Sequence, residues 1–272
     1  MKKAISLFLL SALTVNLYAQ NLKQYSGEMK GGTITFTYYE DEHTLSEKRH
    51  GTFKYVKNLA NDISKYSLTI TGHYSHGYMD GQWSYTINET DYPEGNAYVT
   101  STTKAQMSFK DGVPNGPWTY SYKGKGRLQH FSLLGWSWGP YETLPTETAS
   151  VTFRNGTLVG PMSIKTNAEN ITGTLNEKGF WIGNWISLNG NSRSEYTLTN
   201  DGLMTKGIGR YNGRIVSSAG LEPELKALFD EYKTLPTSEQ QEKFCRKHHI
   251  KIDTTRCTYP TLFDRDFGFI YD

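Results

Sequence analysis

The side chains here with chemistry to offer are seven histidines, two cysteines, turn carboxylates and a group of aromatics outside the regular pattern. Metal binding needs ligands that converge on one point, and His73-x-x-His76 is the pair with ligand-like spacing. That pair straddles a strand end and a turn, where residues three apart point to different faces, so solvated turn histidines are expected and no metal is assigned. His248-His249 close a helical pattern, where a cation suits the negative pole of the helix dipole. Cys245 and Cys257 are the two cysteines. An even count in an exported chain permits a disulfide between them, with two partly buried free thiols as the alternative. Neither has a His–Asn constellation around it, so a nucleophilic cysteine is not expected. No Gly-x-Ser-x-Gly elbow, phosphate-cradling Gly-x-x-x-x-Gly-Lys-Ser/Thr or dinucleotide fingerprint occurs. Asp80, Asp111 and Asp201 fall in turns that already account for them. The sequence therefore predicts no catalytic residue and no cofactor.

Aromatic residues offer a different chemistry, that of recognition. Trp136, Trp138 and Tyr141 lie in the stretch 123–148, which interrupts the surrounding pattern instead of building it. Aromatics beyond structural need mark interaction sites, so these three are the expected partner contact.

Positioning them is the task of a repeated unit. Phe109-Lys-Asp-Gly112-Val-Pro-Asn-Gly116-Pro-Trp118-Thr-Tyr120 states its rule: an aromatic strand end, a turn glycine, a second glycine four residues on, and a Trp-x-Tyr strand start. Copies place Gly77 before Gly81 and Trp83, Gly156 before Gly160 and Met162, and Gly179 before Gly183 and Trp185. A looser fifth copy carries Gly202 and Gly207, with one extra residue between them. Asp-Gly and Asn-Gly favour turns with positive φ, and the flanking alternation puts large apolar groups on one face of a strand pair. One hairpin is marginal in water, so consecutive units must stack. Trp83, Trp118, Trp185, Tyr85, Tyr120 and Tyr211 are read as the packing face of that stack.

At these residues the chain resembles the MORN-type repeats in a degenerate bacterial form, over roughly residues 70 to 212. The resemblance implies an elongated antiparallel sheet of stacked hairpins and no particular activity. The uneven spacing of the second glycines predicts insertions between hairpins, at 88–102 and 123–148.

Ahead of the repeats, Met1-Lys-Lys3, the apolar run Ala4–Val15 and Ala19 read as a signal peptide spanning residues 1–19. No cysteine follows the cut to carry a lipid, and the run is too short to span a bilayer. Export to the periplasm, the outer surface or the medium of a bacterium is the expectation. Removing residues 1–19 takes two lysines and no acid, which leaves equal numbers of basic and acidic residues. Nucleic acid and anionic membrane surfaces both call for a basic surplus, so neither is an expected partner. A strand carrying Ile34, Phe36 and Tyr38, an enlarged turn over 40–50 and a restart at Gly51 form a divergent first hairpin.

From 217 the composition changes. Pro223 opens a helix with Leu225, Leu228, Phe229 and Tyr232 at helical spacing, and Thr237 with Gln240 makes a capping box for a second that reaches about His249. The expected organisation is thus signal 1–19, a mainly β hairpin-repeat domain 20–216 and a helical appendage 217–272, packed on the last hairpins. The functional expectation is an exported, non-catalytic binding or scaffold protein of the cell envelope, with a protein or glycan as partner. Its rivals are a carbohydrate-binding or glycan-processing accessory using the insertion aromatics, and an enzyme with convergent carboxylates in a pocket between sheet and appendage.

Overall fold

The computed structural model describes residues 21–41, 44, 46–94, 96–200, 202, 204–220 and 223–247. The expected signal peptide, His248, His249 and Cys257 lie outside the described residues, as does the side chain of Cys245. The strands are β1 (Lys23–Met29), β2 (Gly32–Glu40), β3 (Glu47–Ala60), β4 (Lys65–Ser75), β5 (Tyr78–Glu94), β6 (Ala97–Lys110), β7 (Val113–Pro114), β8 (Gly116–Ser132), β9 (Gly135–Trp138) and β10 (Glu142–Thr143). They continue as β11 (Glu147–Arg154), β12 (Thr157–Lys165), β13 (Asn170–Leu175), β14 (Trp181–Asn189), β15 (Ser192–Leu198), β16 (Met204–Tyr211) and β17 (Arg214–Gly220). All join one antiparallel meander in which each long strand bonds its sequence neighbour, as stacked hairpins require. In the middle of it, β8 lies between β6 and β11. The three short strands are side branches, β7 on β6 and both β9 and β10 on β8.

The turns explain the first glycines. Asp111 and Gly112 both take positive φ (50° and 78°), and the Gly112 N–H donates to Met79 O at 2.8 Å, on the preceding hairpin. Gly77 bonds Arg49 O and Gly156 bonds Pro114 O in the same way, so each tight turn is tied to the unit before it. Gly179 and Gly202 also have positive φ but close longer turns, back to Asn176 O and Thr199 O. The second glycines Gly81, Gly116, Gly160 and Gly183 have positive φ as well, at bulges in three of the four cases. Gly207 does not follow them. It lies inside β16 opposite Tyr196, where a side chain would meet that ring and Met204.

The residue next but one after each of Gly81, Gly116, Gly160 and Gly183 points inward, with a bulge before Trp83, Met162 and Trp185 and none before Trp118. Trp83, Trp118 and Trp185 are each at most 1% exposed. A burial of that size is worth about 4–6 kcal/mol of transfer free energy per indole before entropy is counted. Across the strands the rings run in series: Trp83 lies 5.2 Å from Phe53, Phe109 5.2 Å from Trp118, and Trp118 4.7 Å from Phe153, centroid to centroid. A second cross-strand row reads Ile34, Tyr55, Ile70, Tyr85, Ala105, Tyr120, Ala149, Ile164. Its alanines give the large tyrosines room, as close packing demands. Tyr211, in contrast, is half exposed and stands outside the core.

Three expectations change on contact with the structure. The segment that opens the sheet is two hairpins, not one, because Lys30-Gly31 makes a tight positive-φ turn between β1 and β2. In the second of them β3 already begins at Glu47, so His50 lies within that strand and not in an enlarged turn. The insertions at 88–102 and 123–148 begin as strand: β5, β6 and β8 run on past their repeat length and pair along it, from Asn88↔Thr102 through Ala97↔Leu128. The last strand reaches Gly220, beyond the expected boundary at 216.

Helices α1 (Pro223–Thr234) and α2 (Ser238–Lys247) follow the sheet. The Gln240 N–H donates to Thr237 Oγ1 at 3.2 Å, the cap expected from Thr-x-x-Gln, and the Gln240 amide oxygen accepts from the same hydroxyl. The helices pack on each other through Tyr232 and the buried Phe244.

A candidate binding face on the projecting hairpin

Beyond Tyr122, β11 leaves β8, and β10 takes its place at Lys125 and Gly126. Beyond Leu128, β6 ends too, and β8 continues with β9 as a hairpin whose register is Gln129↔Trp138, Phe131↔Trp136 and Ser132↔Gly135. This hairpin therefore projects past the sheet. Side chains alternate along β8, so Trp118, Tyr120 and Tyr122 face the core while Arg127, Gln129 and Phe131 take the other face.

On that outer face the Arg127 guanidinium stacks on three rings, at 5.4 Å from Tyr98, 5.6 Å from Trp138 and 4.9 Å from Tyr141. Its Nη2 lies 3.7 Å from Asp91 Oδ1, and Asp91 is held in positive φ with its N–H on Thr100 Oγ1. Trp138 also meets Tyr98 edge-on at 4.4 Å. Of the three aromatics singled out by sequence, Trp138 and Tyr141 thus share one cation, and each stays nearly two-fifths exposed. Trp136 is two residues nearer the apex, tilted against Phe131 at 5.1 Å, and is 66% exposed. Together they make a stripe from Tyr98 to Trp136. Arg127, Tyr98 and Phe131 carry no spacing signal in the sequence, since only the β6–β8–β9 register brings them alongside.

The core side of the same extension holds a cleft of about 540 Å³, lined in part by Glu89, Glu94, Glu147, Tyr92, Tyr122 and Leu144. Burial first, then the charges of Glu89, Glu94 and Glu147, push the Tyr122 hydroxyl above its usual pKa, against a hydrogen bond with Ser101. Ser101 also donates to Glu89. No lysine or arginine lines the cleft, so it suits a cationic group.

A third cluster was not legible in the sequence. His50, His73 and His76 meet where β3, β4 and the first repeat turn adjoin, with ring centroids 5.0 Å apart for His50–His76 and 6.1 Å for His50–His73. The His76 N–H donates to His50 Nδ1 at 3.2 Å. Burial, then His76 and His73, hold the His50 imidazole below its usual pKa. Among the described residues no group of three or more His, Cys, Asp or Glu is arranged to hold a metal ion, and no helix is long and apolar enough to cross a membrane. No protein-family model matches the chain, and no curated protein matches it either.

Proposed function

We propose that the protein is an exported, non-catalytic binding or scaffold protein of the bacterial cell envelope, built on MORN-like hairpin repeats. Its contact with a protein partner is the stripe formed by Tyr98, Arg127, Trp138 and Tyr141. One observation carries this reading: the repeat aromatics Trp83, Tyr85, Trp118, Tyr120 and Trp185 are consumed in the core, whereas Trp138 and Tyr141 sit on the opposite face of a projecting hairpin and keep 39% and 38% exposure. Tyr, Trp and Arg are the residues that dominate protein interfaces, and here a cation–π cage preorganises them. The repeats serve as a stiff support for that face.

The test is capture from native envelope by the tagged full chain, beside a Trp138→Ala/Tyr141→Ala variant. A protein retained by the wild type and lost in the variant supports the reading. Retention of polysaccharide alone transfers the face to a glycan, and equal retention by both chains removes it from the stripe altogether.

A further inference from the structure

The apex of the projecting hairpin differs from the other described turns of the sheet. Its two turn residues are Leu133 and Leu134, at 106% and 100% exposure, where a hairpin ordinarily places Gly, Asn, Asp or Ser. Phe131 (70%) and Trp136 (66%) pair directly behind them. Although 21% of the chain is charged, residues 128–141 hold no Asp, Glu, Lys or Arg; Arg127 and Glu142 are the first charges on either side. Ser132 Oγ accepts from the Leu134 N–H and donates to Gly135 O, both at 3.2 Å, so these apex backbone groups are satisfied without water. For those two groups this meets the demand that hydrocarbon makes of backbone.

We propose that this apex is an interfacial lipid anchor: Leu133 and Leu134 enter the acyl region of a bilayer while Phe131 and Trp136 lie at headgroup level. This goes beyond the binding reading, which concerns the base of the hairpin. The spacing fits, because the aromatic pair stands two residues, roughly 7 Å, from the leucines, within the roughly 5–10 Å to which interfacial segments enter. Amphipathic rings belong at that level. A protein occupant fits less well. Four side chains on a convex point offer less than the roughly 800 Å² per side of a stable interface, and no charged rim surrounds them. The uncharged apex matches an uncharged medium, and the nearest carboxylate in the chain, Glu142, lies beyond the base of the hairpin.

The experiment is flotation of the full chain with phosphatidylcholine vesicles, with and without phosphatidylglycerol, beside a Leu133→Ser/Leu134→Ser variant. Both leucines are fully exposed, so the variant keeps the wild-type circular dichroism and melting curve. The wild type is expected to float with both vesicle types, and the variant to partition at least about 100-fold more weakly, from the loss of two leucine side chains. In the wild type, lipids brominated near the headgroup end of the acyl chain quench tryptophan emission, and Trp136→Phe removes most of that quenching. Wild type that stays at the bottom of the gradient, or a variant that floats equally well, overturns the anchor. So does a protein partner that depends on Leu133 and Leu134 while vesicles are ignored. Flotation that survives Trp138→Ala/Tyr141→Ala, together with failed protein capture, supports the anchor and refutes only the binding reading.

Discussion

Replacing Gly72 by alanine tests the packing logic of the whole sheet. Gly72 lies in β4 opposite Phe53, and its φ is ordinary for a strand. On backbone grounds the change should help, because glycine in a strand interior is about 0.5–1 kcal/mol worse than alanine. The bulge at Gly81, however, lays the Trp83 indole over Gly72, and a methyl there would sit closer than 3.0 Å to the six-membered ring. The ring has nowhere to go, with Phe53 at 5.2 Å, Tyr74 at 5.1 Å and 1% exposure. Overpacking of this kind costs about 1–3 kcal/mol. So close an approach puts the clash in the upper half of that range, about 2–3 kcal/mol, and the net loss is about 1–2.5 kcal/mol, which for a chain of this size lowers the melting temperature by about 2–10 °C. Urea and thermal unfolding of wild type, Gly72→Ala, Trp83→Leu and the double variant give the coupling directly. In the Trp83→Leu background the alanine should be neutral or favourable. A Gly72→Ala protein as stable as wild type, or more so, refutes the argument. The same argument applies at Gly173, beneath Trp185.

Three further outcomes follow from the geometry. Stability should fall as pH drops through and below about 6.5, because His50 has a lowered folded-state pKa and the unfolded chain takes up its proton first. The loss levels off below the folded-state value, and His50→Gln should flatten this part of a melting-temperature profile against pH. At Gly160, with φ +73° and open space around it, Asn should be tolerated better than Val in urea titrations, Val costing about 1–3 kcal/mol through backbone strain alone. Thr237→Ala removes the cap of α2, so about 1 kcal/mol of local helix stability should go, read as faster amide exchange in α2 with the sheet unchanged.

Much of the fold was legible because its determinants are local. Asp111-Gly112 and Asn155-Gly156 announce tight turns by the φ they require, alternation around Trp118 and Tyr120 announces which face is buried, and Thr237-x-x-Gln240 announces a helix start. Each of these is decided within a few residues. The sheet's first turn escaped because Lys30-Gly31 lacks the Asx residue that marks such turns. Gly207 resembles a repeat glycine only loosely, one residue out of step, and in the structure it is a strand residue without positive φ, packed close to Met204 and opposite Tyr196.

What the sequence determined alone is the unit, a positive-φ turn followed by a second glycine and an alternation that puts large side chains on one face. The tertiary structure decided everything that depends on register between units. Gly72 and Gly173 are ordinary strand glycines until a bulge on the next strand lays an indole across them. His50, His73 and His76 become one cluster, and Tyr98, Arg127 and Trp138 one stripe, because antiparallel pairing brings together residues far apart in the chain. The leucine apex is legible as composition, but its exposure is not: that follows from β6 and β11 ending where β8 does not.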